Sequence, residues 1–486
     1  MIIAIDIGTT SAKAALFERD GTCLGVEREA IQGIIGANPV EHEIDPHSWT
    51  EAMRKLFAAL SARTATGLKE VECVVVSGNG PTLLPVDGAG EPLHNAITWM
   101  DRRAAEESEL AEPILGRSLD PAYNLPKILW MRAHRPDLYE KTRWFSSCPE
   151  FLIARLCGNW ISILPAEGYQ AIIWDAASLR LLDLDERKFP PFAQLGSIVG
   201  KVTRKASGET GLPQGIPVVA GGPDFIVSLI GTATTKLRRA CDRSGTSEGI
   251  NLCWNAAVPR DPRLLFMPHV IAPYENISGV ISATGRAISW FMDVAGIGTD
   301  DHDDFFRIAA AAPAGADGLI FLPYLAGERA PLWNPDARGA FVGLSLRHDR
   351  GDMVRAVAES AGFAMRDVID VMESLGAQVD DLRVTGQPAG NAVWNQMKAD
   401  ITRKPILVPA FREAELLGDL CLAMVALGEF PSIGVAAERL VSIEKTFQPD
   451  GSKKALYDEL FAIYRESYKS LIPVFGRLAA LQASSP

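Results

Sequence analysis

Two short turns in this sequence carry residue types that bind a phosphate chain. Residues 6–11 (Asp-Ile-Gly-Thr-Thr-Ser) follow an apolar strand pattern, and residues 242–247 (Asp-Arg-Ser-Gly-Thr-Ser) precede another. Each turn combines a glycine, backbone N–H groups, hydroxyls and a nearby carboxylate, a set that suits phosphate oxygens and a magnesium ion. Because the turns lie far apart in the chain, they predict a nucleotide held from both sides of a cleft.

The elements that position these turns alternate between strand and helix periodicity. The chain opens with three strand patterns and a helix pattern, at residues 2–7, 13–18, 22–27 and 48–63. The second half repeats the theme, with strand patterns, a long helix at 352–375 and a β-α-β unit over 382–408. We therefore predict two α/β domains of related plan, divided near residues 235–245.

Length and composition limit the class of protein. A chain of 486 residues predicts two large domains. The net charge of −12 argues against nucleic acid or an anionic membrane as the main partner, although local turns can still bind an anionic nucleotide. Seven cysteines without a C-x-x-C pair favour reduced thiols. With no signal-peptide pattern and no membrane-length apolar run, the sequence predicts a cytoplasmic protein.

Several short motifs follow one another in a defined order. They are residues 6–13 (Asp-Ile-Gly-Thr-Thr-Ser-Ala-Lys), 97–102 (Ile-Thr-Trp-Met-Asp-Arg), 221–224 (Gly-Gly-Pro-Asp), 245–247 (Gly-Thr-Ser), 327–331 (Gly-Glu-Arg-Ala-Pro) and 394–400 (Trp-Asn-Gln-Met-Lys-Ala-Asp). Each motif alone is weak. In this order and spacing they resemble the FGGY carbohydrate kinases, a branch of the sugar kinase, Hsp70 and actin superfamily, from Ile2 to about residue 425.

The resemblance implies a fold and an activity. The fold is α/β, with two ribonuclease H-like (actin-like ATPase) domains around a central cleft. The expected division is a sugar-binding domain at 1–240, a nucleotide-binding domain at 241–450 and a helical extension at 451–486. The activity is transfer of phosphate from ATP, with Mg²⁺, to a small sugar or polyol, most readily a ketopentose such as xylulose. Family members often form dimers, so a homodimer is possible.

The resemblance also assigns nucleotide-binding residues. In the family the first turn holds the β- and γ-phosphates, and later segments contact phosphates and adenosine. The positions carried over are Gly8, Thr9, Thr10, Ser11, Lys13, Gly245, Thr246, Gly285, Gly386, Gln387 and Asn391. From the residues alone, the first turn could equally be a plain hairpin in which Thr and Ser satisfy the backbone. Gln387 replaces the second glycine of a usual pair, and Asp419 replaces a usual small residue.

Asp224 is the candidate for the chemical step. It follows Gly-Gly-Pro at a strand end and precedes an apolar helical segment. Its residue type also suits a helix N-cap, which is the structural alternative. The resemblance implies that Asp224 is the general base that accepts the proton of the sugar hydroxyl. Asp6 and Asp224 are the expected carboxylates on the magnesium side.

The sugar side is predicted from the first half of the chain. The expected substrate residues are Asn79, Gly80, Trp99, Asp101 and Asp224. For Trp99 and Asp101 the alternative is a packed indole and an ion pair. Xylulose kinases carry Gln-Met-His-Gly where this chain has Asn-Gly-Pro-Thr at 79–82, so the sugar stays open.

The remaining expectations concern one loop motif, metal binding and two alternative functions. Glu328 and Arg329 are interpreted as a structural loop with an internal ion pair. The histidines show no zinc-binding spacing. A non-catalytic sugar or nucleotide sensor of the same superfamily is the main alternative. A nicotinamide oxidoreductase ranks far behind because G-x-G-x-x-G does not follow the first strand.

Overall fold

The computed structural model describes residues 1–483, except 37, 39, 256, 257 and 299–301. The chain forms two compact units. Unit 1 comprises Met1–Gly231 and Ala414–Leu440, and unit 2 comprises Thr232–Glu413 and the chain from Val441 onward. Both units mix strands and helices, so the predicted α/β class is confirmed.

The strands are short, and most belong to one large sheet in each unit. In unit 1 they are β1 (Ile2–Ile7), β2 (Ser11–Phe17), β3 (Cys23–Ala30), β4 (Gly33–Ile35), β5 (His42–Ile44), β6 (Cys73–Gly78), β7 (Leu84–Val86), β8 (Ala96–Ile97), β9 (Trp144–Ser146), β10 (Ser162–Leu164), β11 (Phe192–Gln194), β12 (Ile198–Lys201) and β13 (Pro217–Pro223). In unit 2 they are β14 (Arg239–Ser244), β15 (Glu248–Asn255), β16 (Leu265–Pro268), β17 (Tyr274–Ile281), β18 (Ile320–Leu322), β19 (Ala340–Val342), β20 (Asp381–Thr385), β21 (Ile406–Pro409) and β22 (Ile443–Phe447).

The helices connect these strands. Those before residue 240 are α1 (Pro46–Ser61), α2 (Ala105–Leu115), α3 (Asn124–His134), α4 (Pro136–Lys141), α5 (Cys148–Cys157), α6 (Gln170–Ile173), α7 (Ala176–Leu181), α8 (Arg204–Thr210) and α9 (Asp224–Gly231). The later ones are α10 (Thr284–Val294), α11 (His302–Ala311), α12 (Arg350–Ser374), α13 (Ala392–Thr402), α14 (Ala414–Ala426), α15 (Ile433–Leu440) and α16 (Lys454–Ala483). Among the residues described, no helix is both long and apolar enough to cross a bilayer.

The two large sheets share one plan. In unit 1 the strand order is β12-β13-β6-β1-β2-β3, with β1, β6 and β13 parallel and β2 antiparallel to β1. In unit 2 the order is β16-β17-β15-β14-β20-β21-β22, with β14, β20 and β21 parallel and β15 antiparallel to β14. Each sheet therefore opens with a hairpin and continues with parallel strands, as the repeated sequence pattern predicts. The carboxyl ends of the parallel strands meet at one edge of each sheet.

The segment 414–440 differs from the predicted division of the chain. The boundary at 240/241 assigns this segment to the second domain, whereas α14 packs on α9, β1 and β6 of unit 1. Two glycines allow the close approach of α9 and α14. A Cβ on Gly231 would lie 1.8 Å from the carbonyl oxygen of Ala414, and one on Gly418 would lie 2.1 Å from that of Val227. The C-terminal helix α16 packs against α13 and β18 and so belongs to unit 2.

Candidate functional site

Unit 1 collects polar side chains where its parallel strands end. Asp6 lies near the end of β1 and pairs in register with Ser77 of β6, while Asp224 directly follows β13. The hydroxyl of Ser77 lies 3.2 Å from Oδ1 of Asp6. Parallel strands place their carboxyl ends together, which is where ligands bind in open α/β sheets. The sequence predicted Asp6 and Asp224 for this edge, and the structure places both of them there.

The first predicted phosphate turn joins β1 to β2. The N–H of Gly8 donates to the carbonyl of Ser11 at 2.9 Å, and a Cβ on Gly8 would lie 2.9 Å from that same oxygen. Thr9 is half-buried and Thr10 is exposed. Lys13 follows on β2, where it pairs in register with Asp6. The turn is thus a tight hairpin whose tip is open to a ligand.

Asp224 begins helix α9 and is partly exposed. Its Oδ1 accepts the N–H of Phe225 at 2.7 Å, which fixes the carboxylate at the start of the helix. The pKa of the buried Cys148 thiol is affected by nearby carboxylates. Burial, followed by the negative charges of Asp6 and Asp224, raises the pKa of Cys148 well above its ordinary value. The charges of Asp6 and Asp224 thus both oppose ionisation of this thiol.

A third carboxyl group, which the sequence did not assign to the site, reaches this edge from α14. Asp419 is fully buried, and its Oδ2 accepts the hydroxyl of Ser77 at 2.7 Å. Burial and the neighbouring charges of Asp6 and Glu415 raise the pKa of Asp419 well above its ordinary value. A Cβ on Gly221 would lie 2.9 Å from Oδ1 of Asp419. The Gly-Gly-Pro-Asp motif thus leaves space for this acid.

The sugar-side segment reaches the first turn through Trp99. Its indole N–H donates to Oγ1 of Thr9 at 2.9 Å, so residues that are 90 positions apart meet. Gly80 is half-buried, and a Cβ added there would lie 3.6 Å from Pro223. Trp99, Gly80 and the first turn therefore lie on one side of unit 1, as their predicted roles require.

Two predicted substrate residues are occupied by internal bonds. Asn79 is buried; its amide donates to the carbonyl of Ile7 at 2.9 Å and accepts the hydroxyl of Thr82 in a short hydrogen bond. Asp101 is also buried, and its carboxylate accepts the guanidinium of Arg103 and the N–H of His42. Both side chains thus have internal partners, and their contact with a sugar stays a prediction. Each satisfies buried polar groups and shapes the loop that carries it.

Lys127 contacts the backbone of the sugar-side segment, and the sequence did not predict this role. It lies on α3, fully buried, and its ammonium group is 3.2 Å from the carbonyl of Pro81 and 3.4 Å from that of Ile97. Burial lowers its pKa to about 7. The only sequence signal was a lysine on the apolar face of a helix.

The second predicted phosphate turn, between β14 and β15 of unit 2, brings three predicted glycines together. The N–H of Gly245 donates to the carbonyl of Ser247 at 2.9 Å, and Thr246 is exposed. A Cβ on Gly285 would lie 2.0 Å from the carbonyl oxygen of Gly245. Gly386, with φ +97°, approaches the carbonyl oxygen of Ser244 equally closely, since its Cβ would also lie 2.0 Å away. Only glycine fits at either position.

The predicted adenosine residues are less tightly gathered. Asn391 caps α13, with its Oδ1 accepting the N–H of Trp394 at 3.0 Å. Gln387 begins a 3₁₀ turn over residues 387–390, and its side chain lies outside the described part of the chain. The backbone after Gly386 is therefore the part of this motif that the structure places beside the turn.

The Gly-Glu-Arg-Ala-Pro motif has a structural role here. One oxygen of Glu328 accepts the N–H groups of Ser282 and Arg329, at 2.7 and 2.8 Å. Burial raises the pKa of Glu328 to about 7. The motif thus fixes the backbone two residues before Thr284-Gly285. The internal ion pair between Glu328 and Arg329 stays a prediction.

Comparison with known proteins agrees with this geometry. The models of the N-terminal and C-terminal domains of the FGGY family of carbohydrate kinases match residues 1–231 and 241–427. Xylulose kinase of Staphylococcus epidermidis is 28% identical over 96% of each chain. Gluconokinase of Bacillus subtilis is 26% identical over 99% of this chain and 96% of its own. The crystal structure of xylulose kinase from Rhodospirillum rubrum, 26% identical, superposes with a TM-score of 0.85 over 98% of this chain and 99% of that one. Family models, relatives and fold agree over nearly the whole length, and the chain belongs to the FGGY family of carbohydrate kinases.

Proposed function

We propose that this sugar kinase transfers the γ-phosphoryl group of ATP to a hydroxyl of a ketopentose such as xylulose, with Asp224 as general base. The position of Asp224 carries the proposal. Its partly exposed carboxylate follows β13 at the same sheet edge as Asp6 and the first phosphate turn. A base must reach the hydroxyl proton while that oxygen attacks phosphorus, and such a group contributes about 10²–10⁴-fold.

The remaining residues act by positioning and charge, which dominate phosphoryl transfer. We assign the turns at Gly8-Thr9-Thr10 and Gly245-Thr246 to the phosphates, with the exposed Thr10 and Thr246 supplying hydroxyl groups. Asp224 accepts the proton of the attacking hydroxyl, and its bond from the Phe225 N–H holds its carboxylate in place meanwhile. Trp99 offers an apolar ring to a sugar face and is oriented by its bond to Thr9.

Magnesium fits the carboxylates of unit 1. We assign Asp6 and Asp224 to the ion because both lie at the carboxyl edge of the unit 1 sheet and carboxylates supply the hard oxygen ligands that magnesium prefers. When bound with ATP, the ion neutralises phosphate charge. Asp6 is 3% exposed, and its Oδ1 lies 3.2 Å from the Ser77 hydroxyl, so we assign it to holding water around the ion.

A neutral sugar fits the sugar-side segment better than a sugar acid. A carboxylated substrate needs a cation to pair with, and the two arginines that follow Trp99 in the sequence already have partners. Arg102 forms a short ion pair with Asp120, and Arg103 bonds Asp101 at 2.7 Å. The relatives are named for xylulose and for gluconate. The ion pairs of Arg102 and Arg103 favour the uncharged sugar, xylulose.

A coupled ADP-release assay with D-xylulose, D-ribulose, gluconate and glycerol tests the proposal. We expect release with a ketopentose and a 10²–10⁴-fold lower kcat in Asp224→Asn. Calorimetric MgADP affinity should stay within about twofold of the wild type, because asparagine keeps one side-chain oxygen for the ion. Asp175→Asn is the matched control, because Asp175 caps α7 and asparagine caps equally well. Substantial kinase activity in Asp224→Asn would refute the assigned base.

The same assay separates the alternative function. A wild-type protein that binds sugar and MgADP without turnover would be a sensor. Turnover of gluconate alone would leave the kinase in place and replace the proposed sugar. The homodimer and the cytoplasmic location stay predictions.

A further inference from the structure

A buried lysine lies directly beneath the second phosphate turn. Lys398, on α13, is 1% exposed. Its ammonium group lies 2.8 Å from Oδ2 of Asp242 and 2.8 Å from Oγ of Ser244, and it forms a short ion pair with Glu248. These three partners are on β14 and β15, on both sides of Gly245-Thr246. One side chain therefore ties together the two strands that the turn connects.

The cluster is closed by further contacts. The Ser244 hydroxyl lies 2.9 Å from the Glu248 carboxylate and 3.1 Å from that of Asp242, and the Lys398 ammonium lies 3.9 Å from the Trp394 ring centre. Burial and the Glu248 charge raise the pKa of Asp242 to about 8, while Lys398 lowers that of Glu248. One buried ammonium group thus faces two buried carboxyl groups.

Stability alone does not explain such a cluster. Replacing a buried ion pair by apolar residues of similar volume is often neutral or stabilising, because desolvation offsets the attraction between the charges. What the lysine does here is specific to the turn. Without Lys398, the buried carboxyl groups of Asp242 and Glu248 would lie uncompensated beneath the turn assigned to phosphate. The turn backbone that Gly285 and Gly386 contact would also lose the side chain that holds it in place.

We propose that Lys398 is a positioning residue for the nucleotide: it holds the 244–248 turn in place and cancels the negative charge beneath it. The inference rests on the proposed function, which assigns this turn to the phosphates of ATP. It extends that function to a lysine buried beneath the turn, which the motif analysis left without a role.

The test uses Lys398→Met in the full chain, with MgADP calorimetry and steady-state kinetics. We expect MgADP affinity and the KM for ATP to worsen about 10- to 100-fold, with the KM for the sugar unchanged. Lys453→Met is the matched control. Lys453 pairs at 2.7 Å with Asp400, which lies on α13 like Lys398, but the Lys453 side chain is one-third exposed. A lysine that only stabilised the fold would lower the melting temperature without separating the two KM values.

A second variant guards against misfolding. Asp242→Asn, Glu248→Gln and Lys398→Met together remove every charge of the cluster, so no buried ion is left unpaired. If Lys398→Met does not fold, this triple variant should fold and still show weakened MgADP binding from the loss of the anchor. Wild-type MgADP affinity in either folded variant would overturn the inference. Failure of the proposed function looks different, since the wild type itself would then release no ADP with any of the sugars.

Discussion

Replacing Gly285 with alanine would place a methyl group 2.0 Å from the carbonyl oxygen of Gly245. Real Cβ atoms essentially never approach another heavy atom within 3.0 Å, so the turn must move by about 1 Å (3.0 minus 2.0) or more. The three nearest atoms all belong to the backbone of Gly245 and Thr246, so no side-chain rotation can relieve the clash.

The expected cost follows from this displacement. A misplacement of about 1 Å at a positioning group can lower the rate by about 100-fold, which corresponds to about 2.7 kcal/mol of transition-state stabilisation. We expect kcat/KM for ATP to fall by about this factor in Gly285→Ala, with weaker MgADP binding by calorimetry. The KM for the sugar should stay unchanged, because unit 1 carries the proposed sugar site.

The matched control is Gly476→Ala. Gly476 is also helical, in α16 of unit 2, and a Cβ there meets no atom within 4 Å. This variant should keep wild-type kinetics and gain slight stability from the better helix former. Wild-type kcat/KM for ATP in a folded Gly285→Ala protein would refute the assignment of the Gly245 turn to nucleotide binding.

Three further predictions concern unit 1. Gly231→Ala should lower the free energy of unfolding by about 2–3 kcal/mol in denaturant titrations, because its methyl would meet the backbone of α14 at 1.8 Å, whereas Gly208→Ala, with no atom within 4 Å, should not. Burial raises the pKa of Glu150 from 4.5 to about 7, so between these pH values the native state binds a proton that the unfolded state has lost. The free energy of unfolding should therefore fall by about 3 kcal/mol as pH rises from 4.5 to 7, and Glu150→Gln should flatten this dependence. Trp99→Phe removes the bond to Thr9 and should lower kcat/KM by about fivefold.

Each of these has a contrary outcome. Equal stability of the two glycine variants would contradict the close helix packing. A pH dependence of unfolding that persists in Glu150→Gln would assign the titration to another group. Unchanged kinetics in Trp99→Phe would show that the indole bond does not orient the site.

The local elements could be predicted from the sequence because periodicity and turn chemistry are short-range properties. The first strand, at 2–7, has the predicted bounds, and the predicted β-α-β unit over 382–408 contains α13. The long helix begins at Arg350, near its predicted start. The glycines at 8, 245, 285 and 386 were predicted to approach a ligand, and the last two prove necessary for backbone contact with one turn.

Contacts between distant segments could not be predicted. Asp419 meets Ser77 across 342 positions, and Lys398 meets Asp242 across 156. The intervening sequence does not predict these contacts, because each contact depends on how closely a helix from a distant part of the chain packs on the sheet. The same reason applies to Asn79 and Asp101. Their polar side chains suggest ligand contacts, and the sequence does not show the internal partners that the fold provides.

The sequence by itself determined the α/β class, the two phosphate-type turns and the family of the chain, because each depends on residues adjacent in order. Only the tertiary structure decided which acids share the edge of the unit 1 sheet, which lysine lies beneath the unit 2 turn and which polar side chains are already satisfied. Burial and hydrogen bonding across long separations set those outcomes, and a linear pattern contains neither.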